Sequence, residues 1–305
     1  MARALVTGGA GFIGSNLVLE LERLGWDVVV VDNLQSGRRE NLQGFRGQVI
    51  EGNDLELRSL LRDELRGGQP FDGIFHHGDI TDPRWPDDSQ VLERNLKGFG
   101  EVVSLAAEQG SRLVYASTAG LYGNGPTPMK EDQPKQLLTA YGRSKLKMDE
   151  VAAEASKSQP IVGLRYFNVF GPREAGKGRP ASMIYHLAQQ MKQGKRPRLF
   201  KWGEQIRDQI YVKDVVAANL RALEAPSGAY NVGTGIPTSF NEIVAALNEA
   251  LGTSLEPEYF DMPYDSTSYQ ANTLADTTLA EKKLGFKARW NFRDAVKDYM
   301  AWLYR

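Results

Sequence analysis

Residues 7–14 read Thr-Gly-Gly-Ala-Gly-Phe-Ile-Gly, directly after the apolar run Ala4-Leu5-Val6 and directly before a stretch with helical spacing. Glycines 8, 11 and 14 form G-x-x-G-x-x-G, a spacing suited to a sharp strand-to-helix turn. Gly8 permits the turn, Gly11 lets backbone approach an anion, and Gly14 lets the helix lie against the strand. The helix N-terminus then presents oriented N–H donors, with Phe12 and Ile13 in its first turn. A second apolar run, Asp27–Val31, ends at Asp32, where a carboxylate can accept hydrogen bonds from ribose hydroxyls. This combination predicts a site for a pyrophosphate-linked dinucleotide. Arg38 and Arg39 follow and offer guanidinium forks to a 2′-phosphate, so NAD and NADP both stay open. Asn53, Asp54 and Leu55, after the third apolar run, stand where an adenine ring would lie.

The first half continues the alternation. Arg3–Val6, Asp27–Val31, Gln48–Glu51, Gly73–His76, Arg112–Ala116 and Ile161–Tyr166 read as buried strands. Helical patterns lie between them at Phe12–Leu24, Leu55–Leu65, Ser89–Glu108 and Ala140–Ser156. Repeated strand–helix–strand units imply right-handed crossovers and a parallel sheet covered on both faces. The expected fold is α/β, a Rossmann-type doubly wound parallel sheet with a smaller C-terminal α/β substrate lobe. Residues 1–170 form the dinucleotide-binding domain and 171–305 the lobe, with a return segment near 205–235 that begins at Gln209-Ile-Tyr-Val212. Helices are expected in the second half at Ala181–Lys192, Val215–Glu224, Phe240–Leu251, Thr278–Leu284 and Phe292–Leu303.

Inside the helix expected at 140–156, Tyr141 and Lys145 form Y-x-x-x-K. Positions i and i+4 share a helix face, so phenol and ammonium serve one pocket. A phenol is a poor base at neutral pH, but a lysine cation and a positive nicotinamide ring both favour the phenolate. A third member is expected from the end of the fifth strand, where Thr118 can bond the oxygen that Tyr141 deprotonates and Ser117 is its rival. Hydrogen bonding of these hydroxyls to local backbone is the plain alternative.

Glycine loop, terminal strand hydroxyl and Tyr141/Lys145 together resemble the extended short-chain dehydrogenase/reductases that modify nucleotide sugars. Within them, Arg165–Glu174, Lys177-Gly178, Ala181-Ser182, His186-Leu187, Arg207-Asp208, Tyr269-Gln270-Ala271 and Tyr299–Leu303 resemble the ADP-L-glycero-D-manno-heptose 6-epimerase family most closely. The resemblance implies epimerisation by transient oxidation and re-reduction, with one NADP or NAD held per subunit and regenerated each turnover. It implies that Lys177 is a second acid/base, on the face of the sugar carbon opposite Tyr141. It places Asn33, His77, Gly78, Asp79, Thr81, Asn95 and Val169 on the cofactor. It places Asn168, Arg179, His186, Phe200, Gly203, Arg207 and Tyr269 on the substrate. It further implies a precursor of lipopolysaccharide as product and a homo-oligomer. Three departures bear on the sugar: His77-Gly78-Asp79-Ile80-Thr81 where the family has an acid, small residues and serines, Gln209 in place of an aromatic, and Thr118 in place of a second serine.

Bulk properties narrow the alternatives. The formal net charge of −1 gives no basic field for nucleic acid or anionic membrane. No apolar run reaches the roughly 18 residues of a membrane span, and no export signal pattern follows Met1, so a cytoplasmic enzyme is expected. With no cysteine, and with His76 and His77 pointing to opposite strand faces, no metal site is expected. The basic residues of Lys192–Arg198 read as a solvated helix end, with attraction of an anionic substrate as the alternative. A UDP-hexose 4-epimerase is the rival activity, and an NAD(P)-sensing binding protein is the rival of another class, although such a protein has no use for Tyr141 and Lys145. The Asp-Glu pair of a sugar 4,6-dehydratase is absent, since Ala119-Gly120 stand there.

Overall fold

A computed structural model describes residues 1–82, 85–262, 270 and 272–305. Its elements in order are β1 (Arg3–Thr7), α1 (Phe12–Arg23), β2 (Asp27–Asp32), β3 (Gln48–Glu51), α2 (Leu57–Leu60), α3 (Arg62–Gly67), β4 (Gly73–His76), α4 (Asp88–Gln109), β5 (Arg112–Thr118), α5 (Ala140–Ala155) and β6 (Ile161–Tyr166). There follow β7 (Asn168–Phe170), α6 (Met183–Lys192), β8 (Arg198–Phe200), β9 (Ile206–Tyr211), α7 (Val212–Ala222), β10 (Gly228–Val232), β11 (Pro237–Ser239), α8 (Phe240–Leu251), β12 (Glu258–Phe260) and α9 (Phe292–Leu303).

The main sheet has seven parallel strands in the order β10-β6-β5-β4-β1-β2-β3. Its inner strands are apolar on both faces because helices cover both. Alternation divides them cleanly. Ala4, Val6, Val28 and Val30 pack with Leu17, Val18 and Leu21 of α1 and Ala218 and Ala222 of α7. Leu5, Val29, Val31 and Ile74 pack with Phe99, Val102 and Leu105 of α4 and Met148 of α5. The chain winds outward in both directions from β1 and β4. The connections that leave their carboxyl ends therefore run apart and leave a crevice.

One expectation is corrected here. Residues 55–65 do not form one helix. Asn53 caps a 3-10 turn at Asp54–Glu56, and Leu61 leaves helical geometry at φ −96°, ψ 16°, which separates α2 from α3. The apolar spacing survives the break, since Leu57 and Leu61 are both buried. The run at 209–212 lies in β9, centre of a three-stranded sheet between β11 and β7, with Ile210 buried in the first core. The strand of this segment that joins the main sheet is β10, beside β6.

A second core gathers α6, α8 and α9, with Ile184, Leu187, Ile243, Leu247, Val296 and Tyr299 buried in it. Phe12 of the glycine loop belongs to this core as well, so the second core closes over the crevice from the start of α1.

Candidate active site

The crevice is a cavity of about 940 Å³. On one side it is lined by the ends of β1, β2, β4, β5 and β6, and on the other by Phe200, Phe240 and Phe260 of the second lobe.

Its floor is the glycine loop. Gly8 holds φ +67°, and a side chain there would drive a Cβ to 2.4 Å from the His77 carbonyl oxygen. At Gly14 a Cβ would stand 2.2 Å from the Gly8 carbonyl oxygen. Gly11 is different, because its Cβ would meet only that oxygen, at 3.1 Å, and otherwise enter the cavity. No side chain caps α1 and no acid lies in its first turn. Its free N–H groups are thus left for an anion. Asp32 is buried at the end of β2 and accepts from the Ala10 and Leu34 N–H groups, both at 2.8 Å. Burial raises its carboxyl above the usual range and the backbone N–H donors oppose that. Loop, helix terminus and acid together fit a dinucleotide.

Tyr141 and Lys145 stand at the far end of the cavity, on the first turns of α5. Thr139 caps that helix by accepting from the Gly142 N–H, which fixes where its first turn begins. The Thr118 hydroxyl lines the cavity beside Tyr141 and accepts from the Gly120 N–H at 3.0 Å. The Lys145 Nζ lies 5.8 Å from the centre of the Tyr141 ring. Burial raises the phenol above its ordinary value. Lys145 and Thr118 pull it down, and Asp79 pushes it up. Ser117 lines the cavity too, with its hydroxyl buried and unbonded, and Thr118 is the hydroxyl that favours the Tyr141 phenolate.

Lys177 lines the same cavity from the 3-10 turn Glu174–Lys177, with Nζ 5.7 Å from the centre of the Phe12 ring. Burial lowers its ammonium below the ordinary lysine range, against Glu174 and Asp82, which raise it. Arg207, Asn168, Val169 and Phe200 all line the cavity. The Arg207 guanidinium lies 5.8 Å from the Phe240 ring centre, and Asn168 donates to Thr273 Oγ1 at 2.7 Å. Asn33, Asp54, His77, Gly78, Asp79 and Thr81 line it as well.

Other expected contacts stand elsewhere, each for a local reason. Arg39 pairs with Glu51 at 2.5 Å, and Arg38 packs its stem against Gly176. Asn53 turns its side chain to the Leu55 N–H, which leaves Gly52 and Asp54 on the cavity. Asn95 is buried and braces the backbone of Ile80 with both ends of its amide. His186 Nε2 meets the Arg179 carbonyl at 3.3 Å, away from the cavity. Gly203, at φ +74°, closes against Asn241 and shapes the turn. Tyr269 lies outside the described residues. The sequence reading missed Arg198, Phe260 and Arg94, all on the lining. Arg198 sits 4.6 Å from the Phe260 ring centre, so one member of the basic run does face the cavity. No periodicity marks it, because β8 is three residues long.

Residues 4–233 match the NAD dependent epimerase/dehydratase family. The chain belongs to that family. It is 37% identical over 308 residues, 97% of this chain and 96% of the relative, to the ADP-L-glycero-D-manno-heptose-6-epimerase of Brachyspira hyodysenteriae. The crystal structure of ADP-L-glycero-D-manno-heptose-6-epimerase from Helicobacter pylori superposes with a TM-score of 0.90 at 35% identity, covering 98% of this chain and 95% of that one. UDP-glucose 4-epimerase of Thermotoga maritima, solved with UDP-glucose, gives 0.89 at 29% identity, covering 99% and 98%. The family is NAD dependent, and the glycine loop and Asp32 fit a dinucleotide of that kind. Among the described residues no helix is long and apolar enough to cross a membrane.

Proposed function

We propose that this nucleotide-sugar epimerase inverts C6 of an ADP-glycero-manno-heptose, by oxidising and re-reducing one carbon in a single site. The observation that carries the reading is that two basic groups line one cavity. Tyr141 stands with Thr118 and Lys145 at one place on the lining, and Lys177 stands against Phe12 at another. The extent of likeness to the Brachyspira enzyme selects the heptose.

The glycine loop and the α1 terminus would hold the pyrophosphate, Asp32 the adenosine ribose, and the segment from His77 to Thr81 the nicotinamide end. Asp32 places a negative charge where a 2′-phosphate would sit, and neither Arg38 nor Arg39 lines the cavity, which favours NAD over NADP. NAD held there would accept a hydride from the sugar carbon and give it back. Tyr141 takes the hydroxyl proton as that hydride leaves, with Thr118 holding the same oxygen. The ketone then turns within the cavity and presents its other face. Lys177 supplies the proton there, and its lowered basicity makes it a better acid than a solvated lysine. Arg207 and Arg198 suit the diphosphate, since a guanidinium fork matches phosphate oxygens.

The test is incubation of purified protein with ADP-D-glycero-D-manno-heptose, with C6 configuration read by NMR. Inversion is expected. Unchanged C6 in protein that carries NAD removes this sugar. A UDP-hexose 4-epimerase is the second reading, favoured by Gln209 on the cavity wall where the heptose family has an aromatic, and turnover of UDP-glucose decides for it. Assembly into a homo-oligomer is proposed on the resemblance alone, and sedimentation velocity checks it.

A further inference from the structure

The Lys145 ammonium has a partner that the reaction as described does not require. Its Nζ donates to Asp79 Oδ2 and to the Ala116 carbonyl, each at 2.5 Å, and both charged side chains are 1% exposed. An ammonium has three donors, so two are committed before any ligand arrives. The other Asp79 oxygen stands 3.4 Å from His76 Nε2, and His76 Nδ1 is 2.8 Å from the Thr7 hydroxyl. The ends of β1 and β4 are thereby tied to α5 through a buried carboxylate that also lines the cavity.

We propose that Asp79 is a positioning residue: it anchors the Lys145 ammonium and cancels part of the positive charge that Lys145 presents to Tyr141. This inference rests on the acid/base role of Tyr141 given above. The epimerisation is reversible: in one direction the phenol takes the hydroxyl proton while Lys177 supplies one on the other face, and in the reverse direction the phenol gives its proton to the ketone oxygen. A lysine left fully charged beside the phenol favours the first and hinders the second. Asp79 moderates that bias while keeping the lysine in place.

The surroundings contain few other charges. From β4 and the segment after it come His76, His77 and Asp79; from α4 comes Arg94, paired with Asp54 at 3.1 Å. From α5 comes Asp149, already held by Arg165 and Tyr115. From β5 and β6 come the neutral hydroxyls of Thr118 and Tyr166, and Asp82 and Lys177 also line the cavity. Of these, Lys145 and Asp79 are the charged groups that act on the phenol. Asp79 itself is held well below the carboxylate range: burial alone would raise it, and Lys145 with His76 outweighs burial.

The experiment is a pH titration of the Tyr141 phenolate by ultraviolet difference absorbance in NAD-loaded protein, with Tyr141→Phe subtracted. No sugar is needed, so the outcome is independent of the substrate assignment. In Asp79→Asn the midpoint is expected about one pH unit lower than in the parent, as for loss of one close charge. The acid limb of the kcat profile should move the same way. Asp79→Ala, which removes the carboxylate without adding an amide, must shift it in the same direction and carries the test if the asparagine form does not accumulate. An unmoved midpoint, or an upward shift, overturns the inference. Should Tyr141→Phe itself turn over normally, the catalytic reading fails first, and the two failures are told apart.

Discussion

Tyr141 and Lys177 line one cavity, and their proposed roles separate under substitution. Tyr141→Phe keeps the ring and its packing while removing the proton carrier. Turnover is expected to fall by about 10²–10⁴-fold with bound NAD unchanged, measured by C6 inversion and by absorbance of released cofactor. Lys177→Met keeps the stem over Phe12 and should lower inversion by at least about 10²-fold. Normal turnover in that variant would return Lys177 to an ordinary loop residue. Asp32→Ala removes the ribose acceptor and should weaken NAD by roughly 10–100-fold, the cost of one or two bonds to a charged group, read by titration calorimetry. The Tyr141/Lys145 pair was legible because i and i+4 share a helix face. The Asp79–Lys145 pair was not, because residues 66 positions apart meet only through the register of β4 against β5.

The glycine loop makes a prediction at the level of the element. A methyl group at Gly14 has nowhere to go, since the Gly8 carbonyl at 2.2 Å is backbone and has no rotamer to adopt. Gly14→Ala should therefore push α1 off β1 and destabilise the protein by about 1–3 kcal/mol, seen as a lower Tm even without cofactor. Gly11→Ala should leave the Tm of the stripped protein near that of the parent and weaken NAD, because its methyl enters ligand space. Equal effects of the two would contradict the assignment of the loop. Strands and long helices were readable because β1, β2 and β4 bury both faces and α1, α4 and α5 each bury one. The break in residues 55–65 was not. Leu57 and Leu61 keep helical spacing, and only the Asn53 cap and the Leu61 dihedrals divide the segment. Nor was the sheet around β9, organised by Asp208. That carboxylate is fully buried and accepts from Thr234 and from the N–H groups of Gly235 and Ala275, far away in sequence.

His77 couples the cavity to the stability of the whole molecule. Its ring lies parallel to Tyr166 at 6.2 Å, and burial, with the charges of His76 and Lys145, pushes its pKa down to about 3. The unfolded chain binds a proton near pH 6.5, and the folded one resists it. The stabilisation is thus fully present above pH 6.5 and is lost as pH falls toward 3. Between pH 7 and 5 this group should cost about 2 kcal/mol. Urea denaturation of His77→Phe, which keeps the ring stack and cannot titrate, should show a correspondingly flatter fall, and parallel curves would refute the assignment. By itself, the sequence determined the βα order, the anion-binding turn and the phenol–ammonium pair, because each depends on residues within a few positions of one another. Tertiary structure alone decided which charges surround that pair, that Arg38 and Arg39 turn from the cavity, and that Arg198 and Phe260 enter it. Those outcomes depend on segments brought together by packing, and local spacing carries no record of packing.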